Sequence, residues 1–183
     1  MADPHDKLPP QAKRSGSVTN TVAYMGSLMT FLVDASETGG RFALMEYTAK
    51  PGNEPPPHLH EREDETLYIL EGEIEAYQGD EVLRLAPGDC LFTPMGTAHS
   101  WYILTPKLRM LIMVAPPFSD RYFREMASPT DDMSLPSDQR TYAQSSPEHA
   151  IAVGEKHGIR ILTPEETNSA LPKYPGFAVN RSK

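Results

Sequence analysis

The sequence predicts an all-β fold, a barrel or sandwich of short strands with irregular flanks. Three observations carry that expectation. Between Ser17 and Pro116, short runs rich in β-branched, aromatic and aliphatic residues alternate with turn chemistry, a strand–turn–strand pattern. Proline is abundant, 18 of 183 residues, and concentrates at both ends and in turns, which suits β edges and loops better than a helical bundle. No internal repeat is present, so the chain carries one such unit rather than two.

Taken in order, residues 1–16 are polar and Pro-rich and read as a flexible N-terminal arm. Residues 17–116 form the barrel, with strands expected at 18–24, 28–34, 41–49, 57–61, 65–71, 73–78, 81–86, 90–93, 98–104 and 107–115. The breaks between them are Thr38-Gly39-Gly40, Pro51-Gly52, Gln78-Gly79-Asp80, Pro87-Gly88-Asp89 and Thr105-Pro106. Residues 117–183 read as a C-terminal extension with two short helices and a loose tail from Leu171. The first helix runs from Phe118 to Ala127, because Phe118, Tyr122 and Met126 share a face. Residues 128–145 are a Ser/Asp/Pro-rich loop. The second helix starts at Ser145-Ser146-Pro147-Glu148, with a serine cap and proline in the first turn, and stops at Gly158.

Composition narrows the function. The formal net charge is −8 and no Lys/Arg cluster occurs, so nucleic acid and anionic membrane surfaces are poor partners. One cysteine, Cys90, permits no intrachain disulfide and reads as a small buried residue on a strand. Residues 1–16 do not resemble a signal peptide, and no window has the apolar length of a membrane helix. The expectation is a soluble cytoplasmic protein with a small-molecule partner.

The informative stretch is Gly52 to Ile103. His58 and His60 are one residue apart, which places both imidazoles on one face of a strand. Glu65 opens a run in which Glu65, Leu67 and Ile69 share a face. His99 leads another in which His99, Trp101 and Ile103 do. Singly, each is ordinary: a lone His-x-His more often packs or faces solvent, and Glu65 sits among Glu61, Glu63 and Asp64. Together they offer three neutral imidazoles and one carboxylate to one divalent transition metal ion (Mn, Fe, Co, Ni or Zn), a donor set unlike that preferred by Ca or Mg. His5, His149 and His157 read as surface residues, with His157 near a helix C-terminus.

The spacing Gly52-x5-His58-x-His60-x4-Glu65-x6-Gly72 resembles the first motif of the cupin family at every defined position. Gly88-x5-Pro94-x-Gly96-x2-His99 resembles the second, and fifteen residues separate the two. The resemblance covers roughly Tyr24 to Pro116 and implies a cupin-type β-barrel (a double-stranded β-helix, or jelly roll) with a helical C-terminal extension. It departs from the family where the second motif commonly closes with asparagine; this chain has Ile103 there, which makes that wall more apolar. The run Arg41–Tyr47, the segment Pro55–Glu65 and the segment Gly158–Pro164 are further similar to small quercetin-dioxygenase-like cupins. That likeness implies oxygenation of a flavonol enolate, with Glu65 as both ligand and base and with a homodimer as the assembly.

Four ligands on an octahedral ion leave two positions open, one suited to a substrate oxyanion and the other to dioxygen or a second substrate oxygen. Strand alternation nominates Phe42, Leu44, Leu67, Ile69, Trp101, Ile103, Met110 and Ile112 as pocket walls, Trp101 foremost. The reading is a metal-dependent dioxygenase of a flavonol-like or other enolisable aromatic. The alternatives are a non-oxidative cupin enzyme (isomerase, cyclase or lyase) using Glu65 as base, and a cupin that only binds a small ligand.

Overall fold

Two antiparallel sheets face one another and enclose the core. The structure, a computed structural model, describes residues 13–135 and 146–176. The strands are β1 (Thr21–Tyr24), β2 (Ser27–Val33), β3 (Ala43–Ala49), β4 (His58–His60), β5 (Asp64–Glu71), β6 (Ile74–Gln78), β7 (Glu81–Leu85), β8 (Cys90–Thr93), β9 (His99–Ile103), β10 (Leu108–Ala115), β11 (Ser128–Pro129) and β12 (Ile159–Ile161). The helices are α1 (Ser119–Met126), α2 (Pro147–His157) and α3 (Pro164–Ala170). One sheet has seven strands in the order β11-β1-β2-β3-β10-β5-β8; the other has five, β12-β4-β9-β6-β7. This is the all-β barrel with a helical C-terminal extension that the sequence predicts. Among the described residues, no helix is long and apolar enough to cross a membrane.

Alternation fixes what faces inward. On β3 the buried side chains include Ala43, Met45, Tyr47 and Ala49, and on β10 Leu108, Met110, Ile112 and Val114. Register stacks them into rows: Met29, Tyr47, Met110 and Ile69 form one, and Phe31, Met45, Ile112 and Leu67 the next. The opposing sheet contributes Ile74, Ala76, Trp101 and Ile103.

Turn chemistry sets the register. Gly79 has φ +56° in the two-residue connection that pairs Gln78 with Glu81. Gly72 has φ +83°, and a Cβ there would lie 2.2 Å from the Lys107 carbonyl oxygen and 2.6 Å from Thr105 Oγ1. Gly88 also has positive φ, +99°, but open space around it. Gly72→Ala is therefore expected to cost well above the ~1–2 kcal/mol of left-handed strain alone, and Gly88→Ala about that strain. Denaturant midpoints for the two variants check the difference; equal losses would contradict it.

Several expectations need correction. Val18–Asn20 forms a single 3-10 turn ahead of β1 rather than the start of a strand. A third helix, α3, follows Thr163, whose side chain accepts from the Glu166 N–H while the Glu166 carboxylate accepts from the Thr163 N–H. At the start of the tail two side chains are anchored, Leu171 at 1% exposed and Tyr174 stacked on Tyr102 with ring centroids 5.4 Å apart, while Pro172, Lys173 and Pro175 are exposed. Cys90 is exposed, because it pairs with Tyr68, 40% exposed, on the outer face of its sheet, while Thr93 on the same strand is buried. Phe42 and Leu44 have the wrong parity. Leu44 pairs with Met113, which is 39% exposed, on the outer face of the sheet, while its neighbours Ala43 and Met45 point inward. The expected cap at Ser145 and most of the expected arm at 1–16 lie outside the described residues.

Candidate metal centre

Three segments bring the four expected ligands together. Pro55-Pro56-Pro57 leads into β4, and prolines offer carbonyl oxygens without N–H groups. All three carbonyls are used: Pro55 accepts from Ser100 Oγ at 3.2 Å, Pro56 from His58 Nδ1 at 2.9 Å, and Pro57 from the Leu162 N–H at 2.9 Å. β4 pairs with β9 so that His58 faces His99 directly. The turn before β9 is held to β4 and β5, since the Gly96 N–H donates to the His60 carbonyl at 2.8 Å and the Met95 N–H to Asp64 Oδ1 at 2.8 Å. Glu65 approaches from the other sheet, between Val114 and Thr93.

One ring nitrogen from each of His58, His60 and His99 lies within 4.8 Å of the others, and all three residues are buried. Their Nδ1 atoms are engaged on the outside of the cluster: His58 with the Pro56 carbonyl at 2.9 Å, His99 with the Thr97 carbonyl at 2.9 Å and His60 with Glu63 Oε1 at 2.6 Å. Carbonyl and carboxylate oxygens only accept, so each Nδ1 carries the proton and each Nε2 is left with a lone pair. Glu65 Oε2 lies 3.1 Å from His99 Nε2, and Glu65 Oε1 lies 3.7 Å from His60 Nε2. Glu65 Oε2, His60 Nε2 and His99 Nε2 are buried and have no hydrogen-bond partner. Acceptors converging in a buried space repel one another unless a cation lies between them. The donor set therefore fits a divalent transition metal, which His58, His60 and His99 could hold with the Glu65 carboxylate beside them.

Protonation tendencies agree. Burial pushes the His58 imidazole well below its ordinary range, and the neighbouring His99 and His60 push it further. At His60 burial works in the same direction, but the hydrogen bond to Glu63 and the charge of Glu65 outweigh it and raise the pKa. Burial alone would raise Glu65; contacts with His99, His60 and His58 outweigh that and hold it at about 2. The cluster favours positive charge at its centre, which a divalent ion supplies.

The site opens into a cavity of about 40 Å³ that is partly open to solvent. Of the expected wall residues, Trp101 and Ile112 line it. Leu67, Ile69, Ile103 and Met110 are buried in the barrel core and do not line it. Trp101 stacks near His99, with ring centroids 6.4 Å apart. The remaining walls include residues that sequence reasoning missed. Tyr24, Met29 and Tyr47 come from β1 to β3, Tyr122 and Phe123 from α1, and Ile159 and Ile161 from β12, which pairs with β4. The apolar alternation Ile159-x-Ile161 after a helix-ending glycine was the available signal for the last two. Glu63 was also missed. It lies in an acidic run that reads as a solvated loop, yet it is 2% exposed.

Residues 45–115 match the cupin domain family. A quercetin 2,3-dioxygenase of Bacillus subtilis (strain 168) is 28% identical over 99 residues, which are 54% of this chain and 29% of that enzyme. This chain thus spans under a third of that relative's length. An uncharacterized protein of Streptomyces coelicolor is 28% identical over 94 residues, 51% of this chain and 84% of its own. Among solved structures, KdgF from Halomonas sp. is 25% identical with a TM-score of 0.48, covering 52% of this chain and 84% of that one. Pac13, a nucleoside dehydratase from Streptomyces, is 16% identical with a TM-score of 0.46, covering 67% of this chain and 95% of that one.

Proposed function

This chain belongs to the cupin superfamily, and on that premise we propose that it is a metal-dependent dioxygenase acting on a flavonol-like or other enolisable aromatic substrate. The observation that carries the reading is the character of the cavity. Apart from Asn53, Glu54 and the residues of the metal centre, its walls are aromatic and aliphatic, and among the described residues no lysine or arginine lines it. A phosphorylated or polycarboxylate substrate would find no cationic side chain beyond the metal centre and would meet Glu54. A flat, neutral ring compound would bury its faces against Trp101, Tyr122, Phe123 and Ile159 and form charge only at the metal centre.

The bound ion supplies positive charge that stabilises a substrate oxyanion. The chain's own residues do the rest. The three imidazoles hold their Nε2 lone pairs inward. Glu65 stays ionised at neutral pH, as a ligand or a proton acceptor must. Its low pKa makes it a weak base, and it would accept the proton of an acidic substrate hydroxyl placed against its carboxylate.

The test is anaerobic addition of a flavonol to the metal-loaded protein, followed by admission of oxygen. The expected results are a red-shifted enolate band before oxygen, and then uptake of one dioxygen per substrate. Turnover without oxygen would favour the isomerase, cyclase or lyase reading, and saturable binding without any product would favour a binding protein. The homodimer that the family resemblance implies would use the outer face of the seven-stranded sheet, where Tyr68, Phe92 and Met113 are 40%, 54% and 39% exposed. Phe92→Glu is then expected to yield monomers by light scattering, while an unchanged mass would contradict this face.

A further inference from the structure

We propose that Glu63 is a positioning residue for the metal centre, fixing the protonation site and orientation of His60 and tying that ligand to α1. The inference rests on the reading of His60 as a metal ligand. Within Glu61-Arg62-Glu63-Asp64, only Glu63 is buried. Its Oε1 lies 2.6 Å from His60 Nδ1. Its Oε2 accepts from the Phe118 N–H at 2.7 Å and from the Ser119 N–H at 3.1 Å. Burial of a carboxylate is costly, and these three donors, two of them at the opening turn of a helix, offset it.

The arrangement singles out His60. His58 and His99 each donate Nδ1–H to a backbone carbonyl two residues earlier, so their own loops orient them. His60 uses a side chain instead, and that side chain is held by residues 55 and 56 positions away in sequence. Without Glu63, His60 could place its proton on Nε2 and turn a lone pair into an N–H aimed at the metal position. The same carboxylate also seats α1, whose Tyr122 and Phe123 wall the cavity. One buried group thus links the metal ligand to the pocket wall.

Trp101 provides the readout. It is the chain's one tryptophan, and its ring centroid lies 6.4 Å from that of His99 and 6.3 Å from that of His58, so Co²⁺ bound at the centre would quench it. The metal-free protein is titrated with Co²⁺ alone. Glu63→Gln is expected to weaken binding by about 10- to 100-fold, because one amide cannot accept from both His60 and α1. Glu61→Gln, which removes the same charge from an exposed neighbour, is expected to change affinity by less than about two-fold. An unchanged affinity in the first case, or an equal loss in both, overturns the proposal. If Glu63→Gln does not fold, ¹H–¹⁵N spectra of the wild-type imidazoles decide: His60 protonated on Nδ1 is expected, and protonation on Nε2 overturns it. A wild-type chain that binds no Co²⁺ overturns the metal reading and this inference with it, whereas wild-type binding with unaffected variants overturns this inference alone.

Discussion

His99→Ala is expected to fold and to lose its metal ion, with a weakening beyond the ~10- to 100-fold typical of losing an outer-shell partner. His99 is 2% exposed, and its Nε2 is one of three convergent atoms without a hydrogen-bond partner. Truncation leaves two imidazoles and a carboxylate, too few donors to strip water from an ion in a buried site. Loaded with metal, the two proteins separate: ligand at a hundred times its dissociation constant stabilises the wild type by ~2.7 kcal/mol and leaves the variant where it was. Thermal melts with and without Co²⁺ read this directly. A metal-induced shift of equal size in both proteins would show that the ion binds elsewhere. His157→Ala is the control, because His157 pairs with Glu125 between α2 and α1, away from the centre.

Glu65→Gln is expected to lower both stability and activity. The substitution keeps the side chain's shape and removes the charge that the three histidines hold ionised. A carboxylate whose pKa is depressed in the folded state stabilises the fold above its ordinary range, so at neutral pH the metal-free variant should melt below the wild type, and the difference should shrink as pH falls toward about 2. Metal affinity should fall, though less than in His99→Ala, because all three imidazoles remain. Turnover should fall by about 10²–10⁴-fold with the loss of the proton acceptor. A fully active Glu65→Gln would remove Glu65 from proton transfer, and an unchanged or higher melting temperature at neutral pH would contradict a carboxylate held ionised by the histidines.

How much of this was legible in the sequence depends on the range of the physics involved. The strands and the three histidines could be read because period-2 alternation and the His58-x-His60 spacing are local. So could Gly158 as the end of α2, since a left-handed residue at a helix terminus favours glycine. The parity of β3 could not, because Phe42, Leu44, Met45 and Tyr47 are all hydrophobic and composition does not say which set faces in. The register with β10 decides it, by placing Leu44 opposite the exposed Met113. Cys90 misled for the same reason: register places it opposite the exposed Tyr68 on the outer face, while Thr93 on the same strand is buried, and register is a long-range property. Glu63 was lost in a run of acidic neighbours. Its burial depends on Phe118 and Ser119, which lie more than fifty residues downstream. The capping box at Thr163–Glu166 was present in the sequence as Thr-Pro-Glu-Glu, and it marks α3.

The central claim is that three imidazoles and one carboxylate hold a single ion beneath an aromatic pocket. X-ray absorption of the protein loaded with one equivalent of Co²⁺ tests it most directly. The account predicts a shell of nitrogen and oxygen ligands at about 2.0–2.2 Å, with outer-shell scattering from three imidazole rings. A spectrum with one imidazole or none, or a sulfur shell at about 2.3 Å, would contradict it.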